Sequence, residues 1–305
     1  MALLKHRPKH LLEYALLRAL GFVFRVLPYR LALAAGWGLA WLAFHVVRWR
    51  RREAERRIRE VFGPDLPPAR VRAIAWRSIR DFIFTMVDSL RLADLDPAWV
   101  GRHMTGTQVE DLRRLAAGKG AILVIPHMGS WDLAGAVCDV MDLPVFFIVG
   151  SQKNPLTDAY INRMRQSTGV EMVARDSGLL RGVVRRLKEG KILAFMTDLR
   201  SKTPGVPVRF LGKEANVVAG MGMFARMADV GVIPVILTRQ GWTTHHWLAH
   251  EPIFPDAKAD RDEDCRRITQ AVMDIFDDAV RRHPDQYFWY NKRWVLDPLP
   301  PAPPA

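Results

Sequence analysis

Beyond residue 108, apolar positions fall into short runs, each preceded by a stretch of helical spacing. VEDLRRLAAGKG precedes AILVI, WDLAGAVCDVM precedes PVFFIVG, and the segment from Leu156 to Thr168 precedes VEMVA. The alternation continues with SGLLRGVVRRLKEG before KILAFMT and VVAGMGMFARMADVG before VIPVILT. Short apolar strands alternating with helical stretches of roughly 10–15 residues predict an α/β fold, a central mostly parallel sheet flanked by helices. Ligands of such sheets gather at the carboxyl ends of the strands. Upstream, RVRAIAWRSIRDFIFTMVDSL follows a Pro-Pro start and predicts one long helix from about Pro67 to Leu92.

The first 60 residues follow a different pattern. LALAAGWGLAWLAFHVV, from Leu31 to Val47, contains no Asp, Glu, Lys or Arg, and its length is near the lower limit of about 17 residues for crossing a bilayer core. LLEYALLRALGFVFRVLP precedes it and the strongly basic RWRRREAERRIRE follows. An apolar helix beside a basic cluster predicts a segment that lies in, or dips through, a membrane with an anionic face. The alternative is a buried helical hairpin with a solvated basic face. The expected organisation is a membrane-anchoring segment over 1–60, a catalytic domain over 61–297 and a disordered Pro-rich tail over 298–305.

Charge sharpens this picture. The chain of 305 residues carries a formal +13, but residues 1–60 hold 13 Lys/Arg against 4 Asp/Glu, so most of the excess is N-terminal. These basic residues border an apolar run and lack interleaved base-stacking aromatics, which argues against nucleic acid. The two cysteines, Cys138 and Cys265, lie in segments patterned like amphipathic helices and read as reduced core thiols of a cytoplasmic setting.

The stretch AILVIPHMGSWDLAGA places His127 behind a strand and Asp132 five residues later. The spacing H-x4-[DE] carries little by itself: nine histidines and 32 acidic residues in 305 predict about one chance match, and there are two. In the second, His246 and Glu251 sit in a strand-like TTHHWLAHEP, where positions five apart face opposite ways. His245, His246 and His250 lack a supporting Cys or carboxylate cluster, and no metal site is expected. His127, by contrast, stands at a strand's carboxyl end, Gly129 and Ser130 form a turn with Ser130 as N-cap, and Asp132 enters the next helix. Two readings stay open on this evidence. Asp132 folds back to hold one imidazole nitrogen and frees the other to take a proton, or it only complements the helix dipole while His127 packs at a strand end.

Further segments add to PHMGSWD. They are the basic exit from the N-terminal apolar run, GSQKNPLTDAYINRMRQSTG followed by LKEGKILAFMTDLR, PVRFLG, and the closing RRHPDQYFWYNKRW. With these the chain resembles the lysophospholipid and glycolipid acyltransferase superfamily, and within it the bacterial branch that adds late acyl chains to lipid A, with the phosphatidylinositol-mannoside acyltransferases as a close second. HMGSWD, with aspartate at the acidic position, is similar to the mannoside branch as well.

The resemblance implies transfer of a fatty acyl chain from an acyl carrier protein or coenzyme A thioester to a hydroxyl of a membrane lipid, without a tightly bound cofactor. It implies His127 as general base, Asp132 and Asp198 as its catalytic companions, and a substrate-binding set of Asn154, Arg163, Arg165, Phe210 and Gly212, with Lys153 in the same stretch. It also implies residence at the bacterial inner membrane with the site on the cytoplasmic face. A non-catalytic protein seated on anionic membrane is the alternative from another class.

Overall fold

The computed structural model describes residues 7–298 apart from 108, 117, 151, 168, 175–177 and 202–203; the expected tail lies outside these except for its first residue. Four helices come first: α1 (Pro8–Val26), α2 (Tyr29–Trp41), α3 (Arg51–Phe62) and α4 (Pro68–Leu90). Leu27 and Pro28 break α1 from α2, because proline lacks an amide hydrogen and disfavours helical geometry in the residue before it. α2 runs on into a π-helical turn, Leu42–Val46, and Arg48 and Arg50 take left-handed φ values of 56° and 49° before α3 departs.

The remaining elements alternate largely as the pattern predicts. They are α5 (Pro97–His103), β1 (Met104–Gly106), α6 (Val109–Ala116), β2 (Ala121–Val124), α7 (Trp131–Val140), β3 (Val145–Val149), α8 (Pro155–Gln166), β4 (Glu171–Ala174), α9 (Leu179–Lys188) and β5 (Ile192–Phe195). A hairpin of β6 (Val206–Phe210) and β7 (Lys213–Val217) follows, then α10 (Gly220–Ala228), β8 (Gly231–Gln240), β9 (Thr244–Ala249) and α11 (Arg261–Arg282).

The sheet order is β1-β9-β8-β2-β5-β3-β4. From β8 to β4 the strands are parallel, while β9 runs antiparallel to β8 and β1 follows β9. Strand β2 shows why the sheet is buried on both sides: Ile122 and Val124 enter a core with α3, α4, α9, α10 and α11, whereas Ala121, Leu123 and Ile125 enter one with α7 and β9. Residues that alternate in direction but are all apolar belong to a strand covered on both faces.

A third core joins Phe24 of α1 and Ala32 and Leu33 of α2 to Phe84, Val87 and Leu90 of α4. Helices α1 to α3 therefore pack on the body, and Ala54 and Ile58 of α3 belong to its main core. Much of α1, α2 and the π-helical turn nonetheless exposes large apolar side chains, among them Leu12, Leu16, Phe22, Val26, Leu31, Trp41 and Val46, as does Val47 just beyond. Among the described residues no single helix is long and apolar enough to cross a membrane, though Tyr29–Val46 with Arg51–Phe62, bent by 86°, has the length and composition of a broken span.

Candidate active site

β2 and β5 are adjacent and in register, with Val124 opposite Phe195. Three residues beyond each partner stand His127 and Asp198, so the parallel ladder itself brings them together. Asp198 accepts from the His127 backbone amide through Oδ2 at 2.8 Å, and its Oδ1 lies 2.7 Å from the ring Nδ1. A carboxylate can only accept, so in the neutral ring Nδ1 carries the proton and Nε2 keeps its lone pair. Asp198 is fully enclosed, and the His127 side chain is 16% exposed. Behind Asp198 lies Tyr287, whose phenol is held protonated, its pKa raised first by burial and then by the Asp198 charge.

Asp132 does not hold the imidazole, which overturns the first of the two readings left open by the sequence. It enters the first turn of α7 as expected, but Oδ2 accepts from Ser89 at 2.7 Å and Oδ1 from Arg165 at 3.2 Å. The strand-turn-helix carries the carboxylate to the rim of the same cavity, and the ring faces the neighbouring strand. Ser130 differs in a related way: it occupies the N-cap position of α7 without capping it, because its hydroxyl donates to Asp88 at 2.7 Å.

The PHMGSWD turn is gripped from two sides. Thr85, Asp88 and Ser89 lie on one face of α4, as i, i+3 and i+4 spacing requires, and they bond the Gly129 carbonyl, the Ser130 hydroxyl and the Asp132 carboxylate in order. On the other side the chain after α11 returns antiparallel to the turn. Gly129 donates to the Gln286 carbonyl at 3.2 Å, Met128 pairs with Tyr287, and Phe288 donates to the His127 carbonyl at 2.9 Å. Gly129 has φ 58°, and a Cβ there would stand 2.0 Å from the Leu237 carbonyl oxygen, so glycine is required.

A cavity of about 210 Å³ opens beside this turn. Ile125, Phe147, Ile148, Phe195, Met196 and Leu199 give it apolar walls, and His127, Asp132, Arg165 and Trp131 bring the polar and aromatic groups. The Trp131 ring lies 5.4 Å from that of His127, and beyond it Phe82 and Phe288 stack at 4.1 Å. An apolar recess with an imidazole and a guanidinium on its wall suits a fatty chain joined to a polar, reactive end.

The other expected residues are placed differently. Asn154 is buried and caps α8, accepting from the Leu156 amide, while its amide nitrogen donates to the His10 carbonyl and to Glu13; it fastens α1 to α8 and does not line the cavity. Arg163 and Lys153 are exposed, Arg163 on α8 and Lys153 just before it. Phe210 is fully buried with its ring 6.5 Å from Tyr287, and Leu211 and Gly212, both at positive φ, form the two-residue turn of the hairpin. These two do not line the cavity either; the turn accounts for the glycine by backbone geometry.

The remaining sequence readings find their places. Cys138 and Cys265 are buried and unpaired, on α7 and α11, and burial raises both thiol pKa values. No group of His, Cys, Asp and Glu suited to a metal occurs among the described residues. His246 lies on β9 and Glu251 beyond its end.

The residues that sequence reasoning missed are Thr85, Asp88, Ser89 and Trp131. The first three carry a signal, small or acidic residues at helical spacing within FTMVDSL, in the mainly apolar last two turns of the helix. Nothing in the sequence joins that face to residue 130.

Comparison with known proteins bears on the family of the chain. The family model for bacterial lipid A biosynthesis acyltransferase matches residues 5–295. A phosphatidylinositol mannoside acyltransferase of Mycolicibacterium smegmatis is 25% identical over 244 residues, covering 76% of this chain and 75% of the relative. One from Mycobacterium tuberculosis is 27% identical over 60% of this chain and 57% of its own length. A lipid A biosynthesis acyltransferase of Haemophilus influenzae is 23% identical over 57% of this chain and 53% of its own length. The chain belongs to the bacterial lipid A biosynthesis acyltransferase family and is an acyltransferase.

Proposed function

We propose that this enzyme transfers a fatty acyl group from an acyl carrier protein or coenzyme A thioester to a hydroxyl of a membrane glycolipid, with His127 as general base. The observation that carries the reading is the Asp198–His127 bond, which fixes the imidazole tautomer with Nε2 as the acceptor nitrogen in a cavity suited to an acyl chain. Nε2 takes the acceptor's hydroxyl proton as the oxygen attacks the thioester carbonyl. The new C–O bond forms, the C–S bond breaks, and the imidazolium returns the proton to the leaving thiolate. Asp198 stabilises the imidazolium. Asp132 holds Arg165, whose charge meets a phosphate of donor or acceptor.

Transfer is direct, without an acyl-enzyme. Ser130 is buried and its hydroxyl is committed to Asp88, and Cys138 is sealed within α7. The acceptor is a lipid A precursor in the main reading. A phosphatidylinositol mannoside is the second, favoured by the relatives that match at 25% and 27% identity. The exposed apolar surface of α1 and α2 beside the basic residues of α3 suits attachment to the cytoplasmic face of the inner membrane.

His127→Ala should abolish acyl transfer while leaving melting and vesicle association as in the wild type. Full activity in that variant would remove His127 from the mechanism. Released fatty acid without acylated lipid would indicate thioester hydrolysis, and vesicle binding with no turnover of any thioester would indicate a non-catalytic protein. Mass spectrometry of membrane lipids from cells with and without the protein identifies acceptor and chain together, as one species that gains a defined acyl mass.

A further inference from the structure

Asp88, near the end of α4, is 2% exposed and bonds in two directions. Its Oδ1 accepts from the Tyr29 hydroxyl, at the start of α2, at 2.8 Å. Its Oδ2 accepts from Ser130 at 2.7 Å and from the Arg239 guanidinium of β8. The end of α4 also holds the corner between α1 and α2, for Arg91, its C-cap residue, donates to the carbonyls of Phe24, Arg25 and Leu27. Arg239 is tied in turn to the segment that closes the His127 turn, its backbone exchanging hydrogen bonds with the Gln286 side chain.

None of Tyr29, Asp88, Ser130 and Arg239 lines the cavity beside His127. They form a buried charged network in which each donor supports the others, and removing one partner loosens the rest. Ser130 lies between His127 and Asp132, so movement of its hydroxyl moves both. A structural need for an ionised carboxylate is met by Arg239 alone; the Tyr29 and Ser130 bonds add direction, from an N-terminal helix to the reacting turn.

We propose that Tyr29 and Asp88 are positioning residues of the acyl transfer, the Tyr29–Asp88–Ser130 chain holding the turn of His127 and Asp132 in register with the seated α1–α2 corner. The proposal rests on His127 as the base. It makes the N-terminal helices contributors to turnover as well as to attachment.

The test uses the full chain with palmitoyl-coenzyme A and vesicles of bacterial membrane lipid extract. Tyr29→Phe, which deletes one oxygen, should lower kcat about 10-fold, short of the roughly 100-fold that an ångström of misplacement costs. KM for the thioester and vesicle association should stay unchanged. Combined with Ser130→Ala it should lose little more than the worse single variant, because both cut one chain. Amide hydrogen exchange at residues 127–132 should accelerate in Tyr29→Phe. Independent, multiplying losses in the double variant, or exchange that is unchanged at those residues, would overturn the proposal. If the wild type transfers no acyl group from palmitoyl-coenzyme A or from palmitoyl-acyl carrier protein supplied in its place, the reading of His127 fails, while the exchange measurement still decides whether Tyr29 holds the turn.

Discussion

Asp198→Asn keeps a side chain of the same size beside His127 but removes the charge that faces the imidazolium, and its amide can present hydrogens to Nδ1 and favour the wrong tautomer. The expected result is a fall in kcat of about 10²- to 10⁴-fold with an unchanged melting curve. Asp132→Asn removes the negative charge that faces Arg165 instead, so its loss should appear chiefly in KM for the phosphate-bearing substrates. Steady-state kinetics on the two variants separates these roles, and identical profiles would contradict them. Sequence proximity favoured Asp132 as the imidazole's companion because five residues and a turn lie between them. Asp198 is 71 residues away, and its neighbourhood follows from β5 inserting between β2 and β3. That order of strands is not written in any local pattern, although the strand end before Asp198 was legible.

The helices and strands from α6 to β5 are readable because parallel strands are apolar on both faces and helices keep their 3.6-residue period. The grip of α4 on the turn and the closure by Gln286 to Phe288 are not, since both depend on long-range packing. Phe210 and Gly212 show the same limit: a strand end followed by glycine looks alike whether it greets a ligand or turns a hairpin. Two glycines give direct tests of packing. Gly129→Ala should destabilise by at least about 1–3 kcal/mol, the cost of a strained backbone position, read from thermal unfolding. Gly135 of α7 is different, because a Cβ there would come within 2.0 Å of the Phe147 ring, and that ring lines the cavity. Gly135→Ala should drive Phe147 inward and shift donor preference towards shorter acyl chains, measured by competition between thioesters of different length. An unchanged preference would show that the ring yields elsewhere.

Stability as a function of pH should report the buried polar network. His245 is fully enclosed near Tyr29 and Asp88, and burial, then the Arg239 charge, push its pKa down to about 3. Below its unfolded value of about 6.5 the unfolded chain takes up a proton that the folded protein refuses, so stability falls as pH drops towards that lower value, by at most about 1.4 kcal/mol per unit from this group. His245→Gln should flatten the slope of melting temperature against pH between 7 and 5. The N-terminal charge excess was plain in the sequence, but the seating of α1 and α2 against α4 was not. Phe22→Ser, at a side chain 69% exposed, should weaken vesicle binding about 10-fold without changing melting, if that face enters lipid. The clasp that Gln286 to Phe288 place on the His127 turn has a consequence in time. These residues are translated after every strand of the sheet, so a nascent chain whose N-terminal helices have left the ribosome still lacks the backbone partners of that turn. On the proposed mechanism, acyl transfer then begins only once the final helix and the segment behind it have emerged, and the newborn enzyme meets its surroundings before it can react with them.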